Sequence, residues 1–301
     1  MVGGKATGLG HLLRNGFTVP TGFAITTGAY REHVQHNRLD AEIDRLLAGP
    51  PEDAAEQIRA LFEGSQPSSQ VQDEVLRAYE ELGGTTFPVA VRSSANVEDL
   101  PDASFAGQQE TYLWLLGGEQ VLRHLVRCWS SLFTPQAIAY RAHRGQPVND
   151  LAMGVVVQRM VAAEAAGVML TIDPINGDRS AIIIEAAYGL GTAVVNGEVT
   201  PDRFCVDKDT LGIRGRALGD KHIAYRFDPA VDGTRVQPVP PRDQRQPCLS
   251  DDEVVHLAQL GKRMEHAMNG QPQDLEWAIG PRREIFLLQT RPETVWSQIT
   301  G

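Results

Sequence analysis

Apolar positions recur at two different spacings along this chain, and the change from one to the other divides it. In the first half they return every three to four residues. Ala6 to Asn15 predicts a helix opened by Gly3 and Gly4 and closed by Gly16; Ala29 to Asn37 predicts another. Thr18 to Thr27, between them, reads as extended. Residues 39–82 alternate helical stretches with Pro/Gly/Ser breaks at 49–51 and 64–69. Phe87 to Arg92 predicts a short strand entering a polar loop, Ser93 to Gln109. Residues 119–143 predict one helix, with apolar positions 121, 122, 125, 126, 129, 132 and 133 on one side.

In the second half the pattern shortens to β-rich runs bounded by turn residues: Met153 to Val161, Ala166 to Thr171, Ala181 to Glu185 and Arg203 to Asp207. Residues 228–247 are rich in proline and poor in large apolar side chains, which predicts a long surface loop. Ser250 with Glu253 three residues on is a capping box; it opens a helix to about Asn269 that Gly270 ends. A hairpin follows, Leu275 to Ile279 and Glu284 to Arg291 around a turn at 280–283. The class is α+β, with a helical first half and a strand-rich second.

Composition changes little in that picture. The 301 residues are 42% hydrophobic and 22% charged, an ordinary globular balance. Lys plus Arg number 28 against 38 Asp plus Glu, net −10, which argues against a nucleic-acid backbone or an anionic membrane as main partner. Cys128, Cys205 and Cys248 form no CxxC pair, so neither a zinc site nor a disulfide framework is expected. No apolar run nears the ~18–20 residues of a membrane span, and the N-terminus carries no signal-like apolar stretch. A cytoplasmic protein is expected.

Three strings carry candidate chemistry. Gly3-Gly4-Lys5-Ala-Thr-Gly8-Leu-Gly10 fails the Walker A spacing; it is either a plain glycine-rich turn or a helix start presenting N–H groups and one ammonium to phosphates. Residues 89–111 deliver Arg92 from a strand into a loop of small and hydroxyl residues. Arginine's planar fork suits phosphate oxygens, Gly107 permits close backbone approach and Thr111 adds a hydroxyl. A solvated loop with an ion-paired arginine is the plain alternative.

The third string is the hairpin. Side chains alternate faces along a strand, so Asp274 and Glu276 share one face, as do Gln289 and Arg291. A loop of two or four residues puts Glu276 on the face of Gln289, making a hard-oxygen site suited to Mg²⁺. An odd loop length would flip one strand and break that inference, leaving an ordinary polar face.

Taken together these strings resemble the N-terminal ATP-binding domain of the pyruvate phosphate dikinase and phosphoenolpyruvate synthase family, which rifampicin phosphotransferases share. The resemblance lies in GGKATGLG at 3–10, VPTGFAITTGAY at 19–30, AVRSSANVEDLPDASFAGQQETY at 90–112 and VVQRMV at 156–161. GVMLTIDP at 167–174, GLGTAVVNGEVTPD at 189–202, and DLEWAI with LLQTRP at 274–292 complete it. It implies an ATP-grasp-like fold of two lobes, 1–157 and 158–301. Lys5, Arg92 and Arg291 would meet the phosphates with Gly107 and Thr111 nearby, and Gln158 and the backbone at Met160 would lie at the adenine. Asp274, Glu276 and Gln289 would bind metal, and Lys5, Arg92, Asp274, Glu276 and Arg291 would act in catalysis.

The implied activity is phosphoryl transfer from Mg-ATP to a histidine, with AMP as product. None of the eight histidines follows a Gly-Gly pair as the family's phosphoryl acceptor does. The acceptor is therefore expected on a separate domain or subunit. The chain is expected to be one module of a larger machine, a stand-alone subunit or a truncated piece. Thr192 stands where the family usually has a glutamate. That departure supports a second possibility, a non-catalytic nucleotide sensor with the same pocket.

Overall fold

The computed structural model describes residues 1–95, 110–144, 151–228 and 233–296. The chain divides into two units, one of residues 1–7 and 21–160, the other of residues 8–20 and 161–301. The expected lobes were contiguous; these units are not, because residues 8–20 pack with the second.

The division falls inside α1 (Gly3–Arg14), between Thr7 and Gly8. The first unit continues through β1 (Gly22–Ile25), α2 (Thr27–His36), α3 (Asp40–Leu47), α4 (Pro51–Glu63) and α5 (Ser69–Leu82). It ends with β2 (Val89–Ala95), β3 (Thr111–Leu115), α6 (Gly118–Ser130), α7 (Pro135–Arg144) and β4 (Met153–Arg159). Its strands make one antiparallel sheet in the order β1-β4-β2-β3. Val89, Val91, Val155 and Val157 alternate onto one face and join Ile58, Phe62, Leu125 and Trp129 of α4 and α6 in the core. The same alternation puts Ala90, Arg92, Val156 and Gln158 on the other face.

Two expectations change here. The first helix starts at Gly3, not Ala6. A Cβ on Gly3 (φ +78°) would lie 1.9 Å from the Ser94 carbonyl oxygen, so only glycine allows this approach. Ser94 Oγ accepts the Ala6 N–H at 3.3 Å and donates to the Val2 carbonyl at 3.0 Å, supplying the helix start with a partner from 88 residues away. The single helix expected over 119–143 is two. Pro135 cannot continue α6, and the Thr134 hydroxyl accepts the Ala137 N–H at 3.2 Å to start α7.

The second unit contains β5 (Ala165–Leu170), β6 (Ala181–Tyr188), the short α8 (Thr192–Val195), β7 (Asp202–Asp207), β8 (Ile213–Ala217), β9 (Ile223–Asp228) and β10 (Gly233–Pro238). It closes with α9 (Asp251–Ala267), β11 (Gln273–Ile279) and β12 (Ile285–Pro292). Six strands form an antiparallel sheet in the order β12-β11-β5-β6-β7-β8; β9 pairs with β10 and makes an isolated parallel bridge to Gly189 through Tyr225. The surface loop expected over 228–247 is therefore partly strand; Pro238, at the end of β10, marks an edge where no further partner is needed.

Leu275, Met169, Ile184 and Phe204 are cross-strand partners, all fully buried. They face α9, where a Cβ on Gly261 would come within 2.9 Å of Met169 Sδ. The helix opens with the expected capping box: Ser250 Oγ accepts the Glu253 N–H, and the Glu253 carboxylate accepts the Ser250 N–H at 2.8 Å. Asp202 and Lys221, with no accessible surface, are bonded to each other; Asp202 also accepts the N–H groups of Gly219 (3.0 Å) and Cys248 (2.9 Å). That closed network ties two connecting segments to β7. Among the described residues no helix is long and apolar enough to cross a membrane.

Candidate functional site

In the first unit the candidate residues lie on and beside the sheet face opposite the core. Arg92 on β2 pairs directly with Thr111 on β3, so their side chains share that face. On its other side Arg92 pairs with Val156 of β4, and Gln158 lies two positions along the same strand. Arg92, Thr111 and Gln158 are thereby brought together. Lys5 reaches the strand from α1: its ammonium donates to the Ser93 carbonyl at 2.8 Å, and the residue is buried. The close approach of Gly3 to the Ser94 carbonyl brings the helix start to this strand. Met160 follows β4, and its N–H donates to the Pro88 carbonyl at 2.9 Å. The Met160 N–H is therefore already engaged within the protein. Gly107 lies outside the described residues.

The hairpin of the second unit reaches the expected arrangement by a route the strand pattern did not contain. The turn holds five residues, and Ile279 pairs with Ile285, Ala278 with Phe286 and Trp277 with Leu287. That is the odd loop length which by itself would turn Gln289 away from Glu276. A β-bulge between Glu276 and Trp277 absorbs Leu288, and beyond it Glu276 faces Gln289 and Asp274 faces Arg291. Trp277 is on the opposite face and fully buried, as the alternation requires.

On this face Asp274 and Arg291 form an ion pair. Nε and Nη2 of Arg291 both donate to Asp274 Oδ2, at 2.9 and 2.8 Å. Burial raises the Asp274 pKa, Arg291 opposes that rise, and the Glu276 and Glu293 charges add to it. The side chains expected at metal (Asp274) and at phosphate (Arg291) thus hold each other.

The residues present fit a hard divalent cation in their donor set. Glu276 and Gln289, on facing positions, offer a carboxylate and an amide oxygen, and Asp274 lies two residues along β11. Among the described residues no three His, Cys, Asp or Glu side chains are grouped to cage a metal. Such a partial set suits Mg²⁺, which keeps several waters and phosphate oxygens in its shell.

Glu185, which the strand pattern did not single out, joins this row of the sheet. It pairs through Val168 with Glu276, so Gln289, Glu276, Val168, Glu185 and Arg203 make one rung across five strands. The signal available was a single carboxylate at the end of the apolar run Ala181 to Ile184. The glycine-rich segment at 189–192 is engaged with protein: Gly189 N–H donates to the Glu164 carbonyl and Leu190 N–H to the Tyr225 carbonyl, both at 2.9 Å. Thr192 opens α8 behind it.

Comparison with known proteins matches the whole chain, residues 1–301, to the family described as pyruvate phosphate dikinase, AMP/ATP-binding domain. The chain belongs to that family. Similar proteins include a phosphoenolpyruvate synthase of Aeropyrum pernix, 40% identical over 99% of this chain and 41% of its own length. A probable phosphoenolpyruvate synthase of Methanocaldococcus jannaschii is 39% identical over 98% of the chain and 25% of its own. A rifampicin phosphotransferase of Streptomyces sviceus is 40% identical over 98% of the chain and 34% of its own. The chain thus spans less than half the length of these relatives. Among solved structures, an ADP complex of N5-carboxyaminoimidazole ribonucleotide synthetase is a distant match. Its TM-score is 0.41 at 8% identity, covering 97% of this chain and 45% of that one. A likeness that distant adds no weight to the sequence relatives.

Proposed function

We propose that this chain is the ATP-binding module of a dikinase-type phosphotransferase, passing a phosphoryl group from Mg-ATP to a histidine carried on another domain or subunit. The observation that carries the proposal is the hairpin: its bulge sets Glu276 against Gln289 and Asp274 against Arg291 on one face. In this reading Lys5, Arg92, Thr111 and Arg291 would meet the phosphates, with Gly107 as a further phosphate contact. Gln158 and the Met160 carbonyl would meet the adenine, and Asp274, Glu276 and Gln289 would hold Mg²⁺.

The chemistry asked of these residues is positioning and charge neutralisation, because phosphoryl transfer needs little covalent help from the protein. Arg92 and Arg291 present paired N–H donors to developing negative charge, and Lys5, fixed by the Ser93 carbonyl, adds a point charge. Bound Mg²⁺ would neutralise phosphate oxygens as the transferred group moves. Three unpaired thiols, two of them buried, accord with a reducing cytoplasm as the setting.

The test pairs binding with transfer. Arg92→Ala, folded, should lose about tenfold or more in ATP affinity, as removal of charge-assisted hydrogen bonds worth roughly 1.5–3 kcal/mol implies. With a phosphohistidine domain from a phosphoenolpyruvate synthase added, the wild-type chain should release AMP and label that histidine. Tight ATP binding without AMP would favour the nucleotide sensor, which Thr192 in place of the family's usual glutamate supports. Unchanged affinity in Arg92→Ala would remove the phosphate assignment.

A further inference from the structure

The Asp274–Arg291 pair joins two groups that the proposed function sends to different ligands. Among the described residues Asp274 is held at one oxygen: Nε and Nη2 of Arg291 converge on Oδ2 at 2.9 and 2.8 Å. The Asp274 side chain is 20% exposed and that of Arg291 52%. The carboxylate is thus the deep partner, and the guanidinium is the one with room to leave. Glu276, two residues away, and Glu293, itself buried, place like charge around Asp274. The pair also sits directly across the strands, so backbone pairing holds the two together whether or not a ligand is present.

We propose that this ion pair is a latch that couples cation binding to phosphate binding, a divalent cation and the Arg291 guanidinium competing for the same Asp274 oxygen. This rests on the assignment of the hairpin to Mg²⁺ and phosphate given above. A cation that takes Oδ2 displaces the Nε and Nη2 donors of the half-exposed Arg291 side chain from Asp274, and a polyphosphate can accept from them. A polyphosphate that draws Arg291 away leaves a mostly buried carboxylate among like charges, and a divalent cation relieves that cost. Each ligand therefore completes the site of the other, and neither alone gains the full interaction. Ordinary attraction between Mg²⁺ and ATP predicts cooperation only when both are present. The latch makes a different demand: Arg291 must weaken cation binding when no nucleotide is there at all.

That demand sets the experiment, with Mn²⁺ as the probe and its binding to the full chain followed by electron paramagnetic resonance without nucleotide. Arg291→Gln should bind Mn²⁺ roughly tenfold more tightly than wild type, the worth of hydrogen bonds between charged groups. Arg203→Gln is the control for general loss of positive charge. Arg203 lies on the same sheet and pairs with Asp173, at 3.2 Å, not with Asp274, so its removal should change Mn²⁺ binding far less. Adding a non-hydrolysable ATP analogue should tighten Mn²⁺ binding more in wild type than in Arg291→Gln, because the variant has no latch to open. Thermal unfolding checks that each variant is folded, and Arg291→Lys, which keeps the charge but loses the fork, serves if the glutamine variant is not. Mn²⁺ affinity unchanged or weakened in Arg291→Gln, or raised equally by Arg203→Gln, overturns the latch while leaving the metal site standing. A wild-type chain that binds no Mn²⁺ even with the analogue removes the metal assignment, and the latch falls with it.

Discussion

His33 has no accessible surface. Its Nε2 lies 3.0 Å from Ser65 Oγ and its Nδ1 3.3 Å from the Asn37 amide nitrogen. Asn37 donates to the carbonyls of His33 at 2.9 Å and Gln66 at 3.0 Å, and Ser65 donates to the Phe62 carbonyl at 2.8 Å. Burial lowers the His33 pKa from 6.5 to about 4, and His36 adds to the effect. A base held neutral in the fold is protonated first in the unfolded chain, so stability is full above pH 6.5 and falls as pH drops toward 4. The loss from this residue should be about 2 kcal/mol between pH 7 and pH 5. Denaturant unfolding at the two pH values should show it in wild type and not in His33→Gln; equal pH dependence in both would contradict it. At the hairpin, Glu276→Gln keeps size and removes charge. The variant should need about tenfold more Mg²⁺ to reach the same ATP affinity, read by titrating Mg²⁺ at fixed nucleotide. An unchanged requirement would take Glu276 out of the metal site.

At the scale of elements, what holds the second unit in register is a small number of long-range bonds. The Asp202–Lys221 pair is fully buried and hydrogen-bonded to Gly219 and Cys248, so it ties β7 to the segments that lead into β9 and α9. Lys221→Met leaves Asp202 as a buried charge without its counter-ion and should cost about 3–5 kcal/mol of stability. The double variant with Asp202→Leu should recover part of that loss. Chemical denaturation of the three proteins tests it, and additive losses would show that the pair is not coupled. The elements also show where alternation along a strand is sufficient and where it is not. It put Asp274 with Glu276 and Gln289 with Arg291, and it put Trp277 in the core. It left open whether the two pairs meet, because that depends on a five-residue turn and on the bulge that absorbs Leu288. Two local irregularities cancel, and the facing arrangement survives.

For the whole molecule, a ligand that binds only the folded state at 100 times its dissociation constant adds about 2.7 kcal/mol. Thermal unfolding should therefore shift upward with Mg-ATP and shift less with ATP plus a chelator. Equal shifts would mean that the hairpin carboxylates hold no metal. The α+β class, most helices and the capping box were legible in the chain itself, because periodicity and caps are local properties. Beyond the closing hairpin, the order of the strands within each sheet was not. Residues 8–20 belong with the second unit and β10 with β9, and neither pairing leaves a mark on hydrophobic spacing. What the sequence by itself determined is chemical: which side chains are candidates for phosphate and metal, which of them share a face of a strand, and the family to which the motifs belong. Only the tertiary structure decided that Ser94 anchors the first helix, that Lys5 is held by the Ser93 carbonyl, that Glu185 lies on the rung of Glu276, and that Asp274 and Arg291 hold each other. Each of these joins residues far apart in the chain, and contacts at that separation are set by sheet register and packing, which no local pattern encodes.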